Sequence, residues 1–382
     1  MRISAHTTIA TTFVTACLLC SSVVSAKKPD KPGGGNGGGD TASYSIIPFT
    51  PPAMNSVASG VADLNEMTQA VGWAEDSSGI VQGIHFDYTT GVYTTLAGSA
   101  ESINDFNQIA GSVGTMGSFW QNAQAIPDLL LPLPPTDSLS DVRAWALDLN
   151  NDGLVIGASE EVFRDSNGQV LGTITTAAVW RVTIDGDGVT SVQGPVALPP
   201  LPGHANSFAG SGCLSESISG VALVTGKSWG QREAVTWTIS VNQFDELTIG
   251  APLSLASPTS EGTGINSLGD VCGRRNERPF LAVSGQPLQT LSTPRNTQDG
   301  YALDVNDVGQ VVGDLDVRKS RQAPRWYAYL WIGGERVDLT NQIASDSGWS
   351  RLERADTINN SGVIGGQGQH DVANRGFIMI PN

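Results

Sequence analysis

The sequence predicts an all-β fold, a seven-bladed β-propeller with four-stranded blades, its ring closed by an N-terminal strand that completes the last blade. Three observations predict it. One hairpin motif recurs along the chain at blade-like intervals, apolar strands follow each copy in a fixed order, and the last copy is one strand short while a spare strand stands at the other end.

The motif is eleven residues long: "LNEMTQAVGWA" (64–74), "INDFNQIAGSV" (103–113), "LNNDGLVIGAS" (149–159), "INSLGDVCGRR" (265–275), "VNDVGQVVGDL" (305–315) and "INNSGVIGGQG" (358–368). In each copy a branched aliphatic opens the motif eight residues before a closing glycine: Gly72, Gly111, Gly157, Gly273, Gly313 and Gly366. A degraded seventh copy, "ISGVALVTG" (218–226), keeps that spacing with Ile218 and Gly226. Successive closing glycines are 39, 46, 69, 47, 40 and 53 residues apart, which suits propeller blades. "SNGQVLG" (166–172) mimics the hairpin too soon for a new blade and reads as an insertion.

Within the motif, Asn-x-x-Gly encodes a type I turn followed by a residue with φ > 0. Gly153, Gly269, Gly309 and Gly362 supply it, and Asn107 does so in the second copy. Thr68 occupies the same place in the first copy, so an irregular hairpin is expected there. The leading asparagines (65, 104, 150, 266, 306 and 359) can cap the turn through their side-chain oxygen.

A third strand follows, often Ala-x-x-Trp: Ala177 to Trp180, Ala234 to Trp237, Ala328 to Trp331, with Gly117 to Trp120 a variant. A fourth comes from "YTTLA" (93–97), "DLLLPL" (128–133), "GPVALPPL" (194–201), "APLSLAS" (251–257), "PLQTLS" (287–292) and "ERVDLT" (335–340). The seventh repeat ends at "RGFIMIPN" (375–382) without one. "SYSIIPF" (43–49) alternates like a strand and can fill the gap, hiding both edges.

The expected organisation is a signal peptide at 1–26, a Gly/Pro-rich tether at 27–40 and a single propeller domain at 41–382, with 41–52 as the closing strand. Arg2, the apolar run 9–24 and the small residues Val24-Ser25-Ala26 carry the leader reading. "KKPDKPGGGNGGGD" (27–40) has nothing to bury. No later apolar run reaches the length of a membrane span. Cys213 and Cys272 could pair in an oxidising compartment, yet Cys272 stands in the slot of Val71, Ala110, Ile156 and Val312, where a small buried hydrophobe fits.

The pattern "INNxGQVVG … AFLW … DL" resembles the HAF-type extracellular repeat family over about residues 58–382. The name-giving His-Ala-Phe signature survives only in "IHF" (84–86). The resemblance implies a secreted β-propeller-like protein of unassigned activity. It adds fold and location rather than chemistry.

No nucleophile elbow, zinc box, phosphate loop or dinucleotide fingerprint occurs. Beyond the leader the histidines are His85, in a strand, His204, in a Pro/Gly loop, and His370, beside Asp371 in a loop. "DLNNDGLVIGAS" (148–159) matches a calcium loop at Asp148, Asn150, Asp152 and Gly153, but Ser159 stands where the bidentate acid belongs. No metal or other cofactor is expected.

Charge is more informative. From residue 41 the chain carries 17 basic and 35 acidic residues, yet ten of those basic residues fall in the connections between the second and third strands of repeats four to seven. Variable loops on a rigid scaffold commonly carry function, and a positive sector focuses field even on an acidic protein. The candidate ligand-binding set is Arg232, Arg274, Arg275, Arg278, Arg321, Arg325, Trp326, Tyr327, His370 and Arg375. The acidic surplus opposes nucleic acid. The expectation is a secreted or periplasmic, monomeric, non-catalytic binding module. Its partner would be an acidic polysaccharide or an extracellular protein. The alternatives are a polysaccharide lyase, in which arginines neutralise a uronate while His370 or Tyr327 removes the α-proton, and a purely structural surface protein.

Overall fold

The computed structural model describes residues 43–382, apart from 187, 218–219, 230–231, 243–245, 257, 319–322 and 324. The expected leader and tether, and Ile218 and Arg321, lie outside the described residues.

Seven antiparallel sheets follow one another in a ring. Blade 1 is Ala58–Leu64, Gln69–Glu75, Val81–Asp87 and Val92–Leu96. Blades 2, 3, 5 and 6 repeat this plan at 99–130, 141–198, 260–290 and 297–338. Blade 4 has a split outer edge, because Leu247–Ile249 and Leu253–Ala256 both pair with Glu233–Val241. "SNGQVLG" lies in the turn joining Leu154–Arg164 to Val170–Asp185, a hairpin that carries the second and third strands of blade 3 beyond their neighbours.

Blade 7 consists of Trp349–Ile358, Ile364–His370 and Ala373–Pro381, completed by Tyr44–Phe49. The register runs from Tyr44 opposite Pro381 to Phe49 opposite Gly376, and Ser45 Oγ donates to Asn382 Oδ1 at 2.6 Å. Phe49 is fully buried and meets Phe86 and Tyr93 of blade 1 edge-on at 5.8 and 5.7 Å. The expected closure is therefore the observed one: Ala373–Pro381 is paired on both sides and Tyr44–Phe49 forms the outer edge of the blade.

The core lies between blades. Trp120, Trp180, Trp237 and Trp331 of the third strands are essentially inaccessible. Each buried indole adds a large apolar area, and its N–H needs an acceptor. Trp180, Trp237 and Trp331 donate to Leu131 O, Pro199 O and Ser292 O at 2.8–2.9 Å, carbonyls of the segment arriving from the preceding blade. That contact explains the recurring Trp. Cys213 and Cys272 are unbonded and buried, and burial pushes the Cys213 thiol up to about 12. No helix among the described residues is long and apolar enough to cross a membrane.

Each feature of the hairpin motif has a structural cause. The asparagine oxygen caps the turn as expected; Asn65 Oδ1, for instance, accepts from Met67 N and Gln69 N at 3.0 and 2.9 Å. The amide nitrogen does something local reasoning missed. It donates to the backbone of the next blade: Asn65 to Asn104 O, Asn104 to Asn150 O, Asn150 to Ser215 O, Asn266 to Asn306 O, Asn306 to Asn359 O and Asn359 to Asn65 O, all at 3.0–3.1 Å. In blade 4 Ser215 takes the asparagine position, and its hydroxyl donates to Glu216 O instead.

That alignment corrects the degraded copy. Leu214, twelve residues before Gly226, is the opening aliphatic of blade 4. Its N–H reaches Asp148 Oδ2 at 2.9 Å, as Ile103 N reaches Asp63 Oδ2 and Ile358 N reaches Asp304 Oδ2. The hairpin is simply longer there. Thr68 adopts φ +68°, and although Asn65 Oδ1 still caps the turn, the backbone bond from this position to the leading asparagine carbonyl that the other five hairpins make is missing. The hairpin is therefore irregular, as expected, and also strained.

The closing glycine answers a steric demand. The innermost strands of six blades bulge at the same place, one residue before the Asp63 position and its counterparts. A Cβ on Gly72, Gly111, Gly157, Gly226, Gly273, Gly313 or Gly366 would stand 1.9–2.2 Å from a carbonyl oxygen of that innermost strand. No side chain fits.

Candidate functional site

The ring axis has two chemically distinct ends. At the hairpin end, the position before the opening aliphatic holds Asp63, Ser102, Asp148, Asp304 and Thr357 in five blades, with Cys213 and Gly264 in blades 4 and 5, and Ser102 Oγ bridges Asp63 and Asp148 at 2.6 and 2.8 Å. Burial raises all three carboxyls, Asp304 to about 7. Asp148, a ligand in the calcium-loop alignment, instead accepts from the backbone of Leu149 and Leu214. These groups hold blades together.

The other end opens among the connections between second and third strands. Two adjoining recesses of about 430 and 560 Å³ share Lys227, Glu261, Thr263, Leu303, Arg354 and Gln367. The bulges build the first: the extra residue of the innermost strand is turned to the axis, which places Ala62, Glu101, Thr263, Leu303 and Asp356 in its wall, with Trp73 and Phe208. Tyr301, Asp314, Trp326 and Glu353 line the second.

The electrostatics centre on Glu261, whose side chain is 8% exposed. Lys227 Nζ lies 2.8 Å from it, Arg274 Nη1 3.9 Å and Arg232 Nη1 4.0 Å. Arg274 is also bidentate to Asp299 at 2.8 and 2.7 Å and lies 4.7 Å over the Tyr301 ring. Arg354 bonds Asp356. Burial raises Glu101 and Asp356, and lifts Asp314 to about 7.

Of the ten residues expected from sequence, Trp326 lines this cavity, and Arg232 and Arg274 converge on Glu261 in its wall. The other described ones lie outside the lining. Arg278 donates to Thr297 O at 3.1 Å, and Arg375 ties blade 7 to Ser56 O at 2.6 Å. Tyr327 sits under the Arg351 guanidinium, and His370 packs edge-on against Trp349 with Nδ1 3.3 Å from Asp371. Arg325 is exposed at the start of its strand, and Arg275 ends the strand opposite Arg278.

Loop counting missed the cavity because its walls are innermost strands. A usable signal existed. The residues two and four before each opening aliphatic, including Glu101, Glu261, Thr263, Tyr301, Arg354 and Asp356, alternate towards the axis.

No protein-family model matches the sequence, and no curated protein does. Solved structures do resemble it. A puromycin-hydrolysing peptidase of Mycobacterium tuberculosis aligns at TM-score 0.53 and 11% identity, covering 90% of this chain and 55% of that one. A puromycin hydrolase aligns at TM-score 0.52 and 13% identity, covering 83% and 50%. The chain thus spans about half the length of these similar proteins, and the likeness shows that this chain shares their propeller fold.

Proposed function

We propose that this chain is a non-catalytic binding module and that the cavity at the variable-loop end of its axis takes a carbohydrate. The observation that carries the reading is the lining itself. Aromatic rings (Trp73, Phe208, Tyr301, Trp326) alternate with hydrogen-bonding groups in recesses of about 430 and 560 Å³. That is the size range of small-ligand sites. Rings give apolar faces to a sugar, and carboxylates, amides and guanidinium groups satisfy its hydroxyls.

The charge of the lining refines the ligand class. Glu101, Glu261, Glu353, Asp314 and Asp356 outnumber Lys227 and Arg354 in the lining, while Arg232 and Arg274 reach Glu261 and Arg351 reaches Glu353 from outside it. This balance favours uncharged or amine-bearing sugars over acidic ones. The uronate-cleaving alternative needs its base at the ligand, whereas His370 and Tyr327 lie outside the lining. Export through the leader at 1–26, the tether at 27–40 and the resemblance to HAF-type repeats suit a module that meets glycans outside the cell.

A glycan array followed by calorimetry tests the reading. Trp326 is 37% exposed, so Trp326→Ala leaves the core intact. It is expected to weaken glycan binding at least tenfold, a loss of about 1.4 kcal/mol, at unchanged melting temperature. Silence across the array, or binding indifferent to Trp326→Ala and Trp73→Ala, would refute the site.

A further inference from the structure

We infer that the larger recess is a seat for an ammonium group, carried by an amino sugar, with the carboxylate of Asp314 as its counter-ion. The sugar carrier rests on the carbohydrate reading above; the ammonium seat rests on Asp314 itself. This residue lies in the second strand of blade 6 and is 5% exposed, yet its Oδ1 has no hydrogen-bond partner among the described residues. A buried carboxyl oxygen left so carries a desolvation cost. Asp314 lines the recess, so a group seated there lies against this side chain.

The neighbouring charges are already matched. Lys227 is held by Glu261 at 2.8 Å, Arg354 by Asp356, and Glu353 by Arg351. Arg354 also acts on Asp314 through space, but no cation among the described residues bonds its Oδ1. An ammonium group brings three donors and a charge. Two rings stand ready beside it. Trp326 and Tyr301 line the same recess with centroids 6.2 Å apart, and the Arg274 guanidinium already covers one face of Tyr301. Cations are drawn to such faces. A hydroxyl of a neutral sugar would satisfy Oδ1 through a charge-assisted bond but brings no charge to offset the carboxylate.

The experiment compares three oligosaccharides of equal length and linkage on the full chain by calorimetry: a glucosamine oligomer, its N-acetylated form and a glucose oligomer. The glucosamine oligomer is expected to bind at least tenfold tighter than both. In Asp314→Asn that preference should collapse while the melting curve stays cooperative, and Trp326→Ala should weaken all three. Equal affinity for glucosamine and glucose oligomers would overturn the ammonium seat and leave the carbohydrate reading standing. A preference that survives Asp314→Asn would overturn the role of Asp314. If neither a sugar nor a lysine-containing peptide binds, both readings fall. Capture of a lysine-containing peptide through Asp314, with no amino sugar captured, would keep the seat and overturn the carrier.

Discussion

Asn359→Ala removes a buried link between the last blade and the first. The wild-type side chain donates to Asn65 O at 3.0 Å and accepts from Val363 N at 2.9 Å. Asn65 and Val363 are 3% and 6% exposed, so water replaces neither bond easily. Leaving one buried backbone group unsatisfied costs about 1–2 kcal/mol, so losing both costs about 2–4 kcal/mol. Urea unfolding followed by tryptophan fluorescence reads this as a lower midpoint at unchanged slope. Ser361→Ala, which cuts only an exposed bond to Glu66 at 2.9 Å on the same hairpin, is the control and should cost less than about 0.5 kcal/mol. Asn359→Asp separates the two roles. Aspartate still caps Val363 N but turns an oxygen, not an N–H, towards Asn65 O. It should therefore be at least as damaging as alanine near neutral pH. An Asn359→Asp protein as stable as wild type would show that the asparagine is only a turn cap and would sink the reasoning.

Thr68→Gly relieves the left-handed strain at φ +68° and should stabilise by about 0.5–1 kcal/mol, a rise in Tm of about 1–2 °C; an unchanged or lower Tm counts against it. Gly157→Ala sets a Cβ 1.9 Å from Trp145 O, which is backbone and cannot swing away, so a loss of more than about 3 kcal/mol is expected by urea unfolding. Asp304 titrates near 7 in the folded chain against 3.8 unfolded. The folded state therefore holds a proton that the unfolded state has released between those values. This contribution is fully present below about pH 4 and is lost as pH rises through 7. Its size is up to about 4 kcal/mol. Asp304→Asn should flatten the fall of stability between pH 5 and 8, and a slope identical to wild type would reject the assignment.

The repeat made the fold legible because one motif carries both a turn signal and a period. Phe49 and its strand could be assigned because the last blade was countably short. What stayed hidden was non-local. A turn-capping asparagine shows nothing in sequence of the blade its nitrogen will meet. The closing glycine reads as a strand breaker until the bulge beside it is seen. Leu214 was overlooked because the blade 4 hairpin is longer, which put residue 218 at the familiar spacing. Of the arginines grouped from sequence, Arg232 and Arg274 meet at Glu261, and Glu261 and Asp299 approach Arg274 from innermost strands that a survey of loops does not include. Trp326 was found because it sits on a loop edge, whereas Trp73 and Glu101 were concealed inside regular strands.

The pairing of residues 44–49 with 376–381 imposes an order in time. The first strand of the chain has no partner until the region near residue 380 has been synthesised, so the ring cannot be sealed progressively from its beginning. Contacts separated by more than 300 positions form slowly, and the waiting segment, with Ile46, Ile47 and Phe49, is apolar. Until its partner exists, the idle strand is open to pairing with unrelated strands.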